Sequence, residues 1–562
     1  MKWEKEYDIL VVGSGATGFA GGLTGQLKGL STLIIEKEDR FGGASALSGG
    51  GVWIPNNLYL EEAGVQDSYE QAKMYMDATI GDRVPDQLKV SYLKKGPEML
   101  RYFHEQTHYM RFKYAKGYSD YYAHFPGGAP NGRSIEPEIV DLNLLKELQP
   151  LLKEPTLSTK GFTMTGQEFH KVNMIMRTTV GKMTSLKLGM RLIKSKLTGA
   201  QYASLGLALI ARLALAYRDA GGEIWLNAAF KDYIVEDNRV VGLLIEKDGQ
   251  EMQLKAKHGV ILASGGFSQN QGKREQYLPK PTNAAWSSSP PGQTGDIIEP
   301  SKKLGAKLDL MERVWGAPSV LDHNGKPYFL VADRAIPSMI IVDQNGNRYL
   351  NEAIPYHEFI DKMHVHNEKT NNKAIHSWLI VDKQTKNRYL FMGLFPKQDF
   401  PKAWYSEGIV KVGQSIDQLA SETGIPEENL KATLNLFNTF AENGKDEDFG
   451  RGDHPYDRYY GDPTLKNPNL DKIENPPYYA LKVFPGDIGT KGGVIIDEHA
   501  RVLKEDGSPI EGLYAAGNCS ASIMGESYPG PGATLGPGMT FAYLAALHCL
   551  KHRDETTESY LL

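Results

Sequence analysis

The stretch from Tyr7 to Glu36 constrains this 562-residue chain more than any other. An apolar, β-branched run at residues 7–12 (YDILVV) leads into Gly13-Ser14-Gly15-Ala16-Thr17-Gly18 and then a small-residue stretch, which predicts strand, tight turn and helix. A second strand at residues 31–35 (STLII) ends at Glu36, at the distance where an acidic residue closes a dinucleotide-binding fingerprint. Each residue type has a physical reason. Gly13 permits the turn, Gly15 lets backbone approach a pyrophosphate, and Gly18 lets helix and strand pack closely. The helix start offers N–H groups and the positive end of its dipole to phosphates. Glu36 can accept ribose hydroxyls, whereas its charge repels a 2′-phosphate, so FAD or NAD fits and NADP does not.

Glycine-rich turns farther along separate FAD from NAD. Residues 37–51 (KEDRFGGASALSGGG) form a small-residue segment suited to lying against a flat cofactor, with Lys37, Gly42, Gly43, Ala44, Ser45, Ser48, Gly49 and Gly50 as candidate contacts. Residues 259–263 (GVILA) read as a buried strand ending in Ser264-Gly265-Gly266-Phe267, a second close backbone approach through Gly265 and Gly266. Residues 512–518 (GLYAAGN) read as a returning strand that brings Gly517 and Asn518 to the same ligand. Three remote segments converging on one cofactor predict a discontinuous, Rossmann-like α/β domain that binds FAD.

The rest of the composition removes other classes. A formal net charge of −5 argues against a nucleic-acid binder, which concentrates positive charge. Two cysteines, Cys519 and Cys549, make no disulfide framework or zinc cluster, which suits a reducing cytoplasm. The N-terminus turns from charged residues to strand without a signal-peptide core. The most apolar stretch, residues 207–217 (LALIARLALAY), contains Arg212 and is too short to span a bilayer, so it reads as a buried helix.

The combination of GSGATG, EKEDRFGGASALSGG, ASGGF, Gly295-Asp296, GLYAAGN and a glycine-rich start to the C-terminal helix resembles the fumarate reductase and succinate dehydrogenase flavoprotein superfamily. Within it, the chain is most similar to bacterial 3-ketosteroid 1,2-dehydrogenases, through SGGGVWIPNN (48–57), GYSDYY (117–122), GRSIEP (132–137), RYLNEAIPY (348–356), PGDIGTKGG (485–493) and YPGPGATLGPGMTF (528–541), collinear along the whole chain. The resemblance adds Asp296 and Leu535 to the cofactor contacts. It implies an FAD-binding domain in two parts, 1–312 and 490–562, with an α+β substrate-capping domain inserted at 313–489. Two helical stretches inside the insert, 415–422 and 427–442, read as scaffold.

Dehydrogenation beside a ketone needs donors on the carbonyl, a base for the α proton, and a hydride acceptor. The resemblance supplies the roles. YPGPG puts the carbonyl-binding tyrosine at Tyr528 and a backbone donor at Gly532; on the residues alone, a Pro-Gly-Pro-Gly turn before a helix presents oriented N–H groups. RYLNEAIPY makes Tyr356 the proton-abstracting residue, and GYSDYY makes Tyr121 its support, with Tyr122 taking that place if the register slips by one. Without the resemblance, Tyr121, Tyr122 and Tyr349 read as ordinary wall tyrosines. A phenol titrates near 10 in water, so the base needs a neighbour that favours its phenolate.

The same comparison sorts the relatives. Covalent-flavin members carry a histidine where this chain reads Ala44-Ser45-Ala46-Leu47-Ser48, so the FAD is expected to be noncovalent. Dicarboxylate reductases need arginines and histidines on two carboxylates; here the C-terminal motif is tyrosine, proline and glycine, and Arg133, Arg334 and Arg348 read first as salt-bridge partners. A 3-ketosteroid is therefore the expected substrate and a quinone the expected class of electron acceptor; a fumarate-reductase-like or other ene-reductase and a noncatalytic FAD-binding protein are the alternatives. Last, Met183, Leu186, Met190, Ile193 and Leu197 recur at spacings of three and four within 182–197, flanked by Lys182, Lys187, Arg191, Lys194 and Lys196. That pattern predicts a helix that either lies on an anionic membrane or packs its stripe on the protein.

Overall fold

The computed structural model describes residues 3–154 and 161–561, with side chains as far as residue 551. Its main sheet runs Arg501–Leu503, Pro509–Ala515, Arg239–Lys247, Gln250–Leu262, Lys5–Val12, Thr32–Ile35, Glu223–Trp225, with Ala228–Glu236 paired to Arg239–Lys247. Lys5–Val12 is parallel to both of its neighbours, and Gln250–Leu262 is parallel to Pro509–Ala515. Ile9, Leu10, Val11, Leu33, Ile34, Val260, Ile261, Leu262 and Leu513 are fully buried, and helices Ala16–Leu27 and Leu535–Leu561 pack against these strands. Helix Ala16–Leu27 leaves the first strand at once. It can do so because a Cβ on Gly18 would stand 1.9 Å from the Gly13 carbonyl oxygen. Helix Leu205–Asp219 is buried as expected, and Arg212 donates to the carbonyls of Glu138 (2.8 Å), Ile139 (2.9 Å) and Tyr109.

A second sheet is inserted between the last strands of the first. Its spine is the long strand Tyr478–Thr490, flanked by Val314–Leu321, Ser377–Asp382 and Val410–Gly413, with Pro327–Phe329 and Met339–Val342 outside them. Alternation divides its residues cleanly. Ile341, Leu379, Val381, Leu481 and Val483 belong to one apolar core; Ile340, Val342, Trp378, Ile380 and Ala480 belong to the core on the other face. Helices Ile416–Thr423 and Glu427–Asn443 cover that second face through Leu419, Leu430, Leu434 and Phe437. The fold is thus the expected α/β dinucleotide-binding sheet with an α+β insert.

The amphipathic segment is helical over Thr179–Thr198, but its long apolar stripe faces outward: Met183 is 61% exposed and Leu197 82%, with Leu186, Met190 and Ile193 in between also exposed. Leu188 and Gly181 face inward, and Arg191 makes a two-pronged bond to Glu168 (2.7 and 2.8 Å), which Lys187 also meets at 3.1 Å. Arg191 and Lys187 are therefore partly structural, whereas Lys182, Lys194 and Lys196 are exposed. Among the described residues, no helix is long and apolar enough to cross a membrane.

Candidate active site

The parallel strands end together, with Gly13 N donating to Ile35 O and Ala263 N to Val12 O, both at 2.8 Å. A cleft of about 1120 Å³ opens at these carboxyl ends and runs toward the inserted sheet. Single-ligand pockets span about 300–1,000 Å³, so this one has room for a dinucleotide and a second molecule. Its wall contains Gly13, Ser14, Gly15, Thr17, Glu36, Lys37, Gly43, Ala44, Ser45, Ser48, Gly49, Gly50, Gly265, Asp296, Gly517, Asn518 and Leu535. Ala16, Gly18, Gly42 and Gly266 do not reach it and stand behind, for physical reasons. Ala16 N donates to Ser45 Oγ, Gly42 N to Ser14 Oγ and Gly266 N to Gln293 Oε1, while Gly18 is spent on helix–strand packing.

The wall fits FAD. Gly13 holds φ +107°, and a Cβ there would meet the Ala263 carbonyl oxygen at 2.4 Å. Glu36 Oε2 accepts from Ser14 N (3.1 Å) and Ser14 Oγ (2.6 Å), which fixes the carboxylate at the strand end. Lys37 and Asp296 pair with each other at 2.6 Å on the more exposed side of the cleft. Trp315 Nε1 donates to Asn518 Oδ1 at 3.0 Å, tying the inserted sheet to the returning segment.

At the far end of the cleft three tyrosines from remote segments meet. The Tyr121 hydroxyl donates to that of Tyr356 at 3.0 Å, and the rings of Tyr121, Tyr356 and Tyr528 lie edge to face with centroids 5.1–5.6 Å apart. Tyr122 points elsewhere, its hydroxyl 3.0 Å from His357 Nε2, and Tyr349 bonds Ser377, so neither joins the trio. The loop carrying Tyr121 is pinned by Arg133, which pairs with Asp67 (3.0 Å) and Asp120. Tyr121 N donates to Pro529 O (2.9 Å) and Ser134 Oγ to Pro531 O (2.6 Å), so the 117–137 region holds the YPGPG turn from outside. Gly532 has φ +99°, and a Cβ would strike the Gly51 carbonyl oxygen at 2.3 Å. Lys491, buried under Trp315, donates to the carbonyls of Glu526 (2.7 Å) and Ser527 (2.8 Å), immediately before Tyr528.

Burial pushes all three phenols above their ordinary range. For Tyr528 the rise is opposed by the neighbouring Tyr356 and Thr534 hydroxyls and the Gly532 backbone; Tyr528 and Gly532 both line the cleft. Of the three arginines, Arg133 and Arg348 are in carboxylate pairs, the latter with Glu352 (2.9 Å) and Asp446 (2.8 Å). Arg334 departs from the expected salt bridge, since its nitrogens donate to two carbonyls and to Tyr456. The sequence reading missed Tyr456, whose ring lies 4.5 Å from that of Tyr121; its only signal was the aromatic density of HPYDRYY.

The FAD binding domain family matches residues 8–535. A 3-oxosteroid 1-dehydrogenase from Mycolicibacterium smegmatis is 44% identical over 556 residues, covering 97% of each chain. The crystal structure of 3-ketosteroid delta1-dehydrogenase from Sterolibacterium denitrificans, in complex with 1,4-androstadiene-3,17-dione, superposes with a TM-score of 0.93 at 39% identity, covering 98% of this chain and 100% of that one. A flavocytochrome c3 fumarate reductase, at 21% identity and a TM-score of 0.63 over 98% of this chain and 79% of that one, shares the fold. The chain is an FAD flavoprotein and belongs to the 3-oxosteroid 1-dehydrogenase family.

Proposed function

We propose that the chain dehydrogenates 3-ketosteroids between C1 and C2, and that Tyr121, Tyr356, Tyr528 and Gly532 perform the protein's share of the chemistry. The meeting of the three tyrosines and the Gly532 turn at one end of the cofactor cleft carries this reading. The Tyr528 hydroxyl and the Gly532 N–H bind the C3 ketone and hold the negative charge that grows on its oxygen. Tyr356 takes the C2 proton, and the Tyr121 hydroxyl donates to its oxygen, which favours the phenolate. The bound flavin supplies the acceptor for the C1 hydride. Aromatic walls exclude water, which strengthens each of these interactions.

The cofactor residues on the cleft wall named above belong to the same proposal, as do the domain limits at 312 and 489, which the strands Val314–Leu321 and Tyr478–Thr490 of the inserted sheet support. Among the described residues, no arginine lines the cleft wall to meet a dicarboxylate: Arg133 and Arg348 are paired, and Arg334 lies behind Tyr356 and off the wall. Anaerobic addition of a 4-ene-3-ketosteroid tests the reading. Bleaching of the flavin supports it; fumarate-dependent reoxidation with no response to steroid assigns the ene-reductase alternative, and neither response leaves a noncatalytic protein.

A peripheral location is the second part of the proposal. The outward stripe of helix Thr179–Thr198, beside exposed Lys182, Lys194 and Lys196, suits the surface of an anionic bilayer. From there the enzyme reaches poorly soluble steroids and a quinone acceptor.

A further inference from the structure

We propose that Arg334 is the positioning residue for the base: it fixes the turn that presents Tyr356 and supplies the positive charge its phenolate needs. The inference rests on Tyr356 being the proton acceptor. Arg334 is 1% exposed and donates through Nη1 to the carbonyls of Glu352 (2.8 Å) and Ile354 and through Nη2 to the Tyr456 hydroxyl (3.0 Å). Its Nε is buried without a partner. Neighbouring Arg348 and Arg451 share Glu352, and Arg348 adds Asp446; Arg334 is bonded to neutral acceptors alone. A buried guanidinium with no carboxylate hydrogen-bonded to it is costly, and a phenolate formed beside it would lower that cost.

That anion is within reach. The guanidinium carbon lies 5.8 Å from the centre of the Tyr356 ring, and the two bonded carbonyls belong to the turn leading into Tyr356. Through Tyr456 the charge also reaches the ring of Tyr121, whose hydroxyl donates to Tyr356. The other groups facing Tyr356 are phenols, those of Tyr118, Tyr121, Tyr456 and Tyr528. His357, next on the helix, is kept neutral by burial and by the charges of Lys491 and Arg334. Asp333 and Asp457 lie near enough for the Arg334 charge to lower their pKa, but neither is hydrogen-bonded to it. Asp333 accepts from Met392 N and Asp457 from Asn351 and Gly452 N, and burial pushes both up, Asp333 to about 6. When Tyr356 takes the C2 proton, the negative charge passes from its oxygen to the enolate held by Tyr528 and Gly532, and the proton stays on Tyr356 until solvent removes it.

The test is the pH dependence of flavin reduction in the holoenzyme with a 4-ene-3-ketosteroid, followed toward the range where a phenol near 10 titrates. In Arg334→Met the ascending limb moves to higher pH by about one unit or more, so the rate near neutrality falls about tenfold or more and recovers in base, with KM unchanged. Arg334→Lys keeps the limb near its normal position with a lower plateau, because one ammonium cannot hold both carbonyls and Tyr456. Tyr456→Phe, which removes only a neutral hydroxyl, shifts the limb the same way by less and decides the question if Arg334→Met fails to retain FAD. A uniform loss at every pH with the limb unmoved, or an unchanged profile, overturns the proposal. Failure of the parent reading looks different: wild-type flavin does not respond to steroid, or Tyr356→Phe turns over normally.

Discussion

Replacing Tyr356 by phenylalanine removes one oxygen and leaves the packing. The ring stays edge to face with Tyr121 (5.6 Å), Tyr528 (5.4 Å) and Phe329 (5.0 Å), so the apolar contacts survive. What is lost is the acceptor of the Tyr121 hydroxyl, which is itself buried. Leaving that donor unsatisfied costs about 1–3 kcal/mol of folding free energy, which a chain of this size tolerates. The kinetic loss is separate and larger. A positioned base contributes about 10²–10⁴ in rate, or about 3–5 kcal/mol of barrier at 1.36 kcal/mol per tenfold. Tyr356→Phe is therefore expected to retain stoichiometric FAD, bind steroid with little change, and reduce its flavin at least about a hundredfold more slowly in anaerobic stopped-flow. A variant that keeps its FAD and reduces it within a few-fold of the wild-type rate would refute the assignment and turn attention to Tyr121.

Tyr528→Phe also keeps its ring against Trp315 (4.8 Å) and loses one of two ketone donors, so turnover should fall about 10²–10³-fold with FAD bound; a change confined to KM would show that Tyr528 binds without stabilising the enolate. Acid precipitation should release all of the flavin into the supernatant, since no histidine occupies residues 44–48; colour remaining in the pellet would establish a covalent link. In liposome flotation, binding should require anionic lipid and be lost both in Met183→Glu with Met190→Glu and in Lys182→Glu with Lys194→Glu and Lys196→Glu. These substitutions spare the Arg191–Glu168 pair, so binding that survives both sets removes this helix as the anchor.

How far the sequence could be read follows the range of the interactions involved. The fingerprint is local: strand, Gly13 turn, helix and Glu36 lie within 30 residues, and their chemistry dictates the geometry whatever the rest of the chain does. The second sheet was legible only as an insert without phosphate turns, because both of its faces are buried and its alternation is invisible in a hydrophobic run. The motifs pointed to Tyr121, Tyr356 and Tyr528, which the fold brings together, but they left a slip from Tyr121 to Tyr122 open. Tyr121 meets Tyr356 while Tyr122 meets His357, and the loop's setting is fixed by Arg133, Asp67 and the Pro529 carbonyl from outside it.

Charge balance is the least local property of all, which is why Arg133, Arg334 and Arg348 looked alike. Arg133 finds Asp67 and Asp120, Arg348 finds Glu352 and Asp446, and Arg334 finds only carbonyls and a phenol. The helix at Thr179–Thr198 makes the same point from the apolar side. Its five-residue stripe was correctly periodic, but periodicity does not say which face turns inward. Gly181, whose Cβ would stand 2.6 Å from the Met174 carbonyl oxygen, together with Leu188 and the Arg191–Glu168 pair, fixes the opposite face against the protein. A helix held by its smaller and more polar side leaves its larger apolar side in water, at a cost that a bilayer surface would remove.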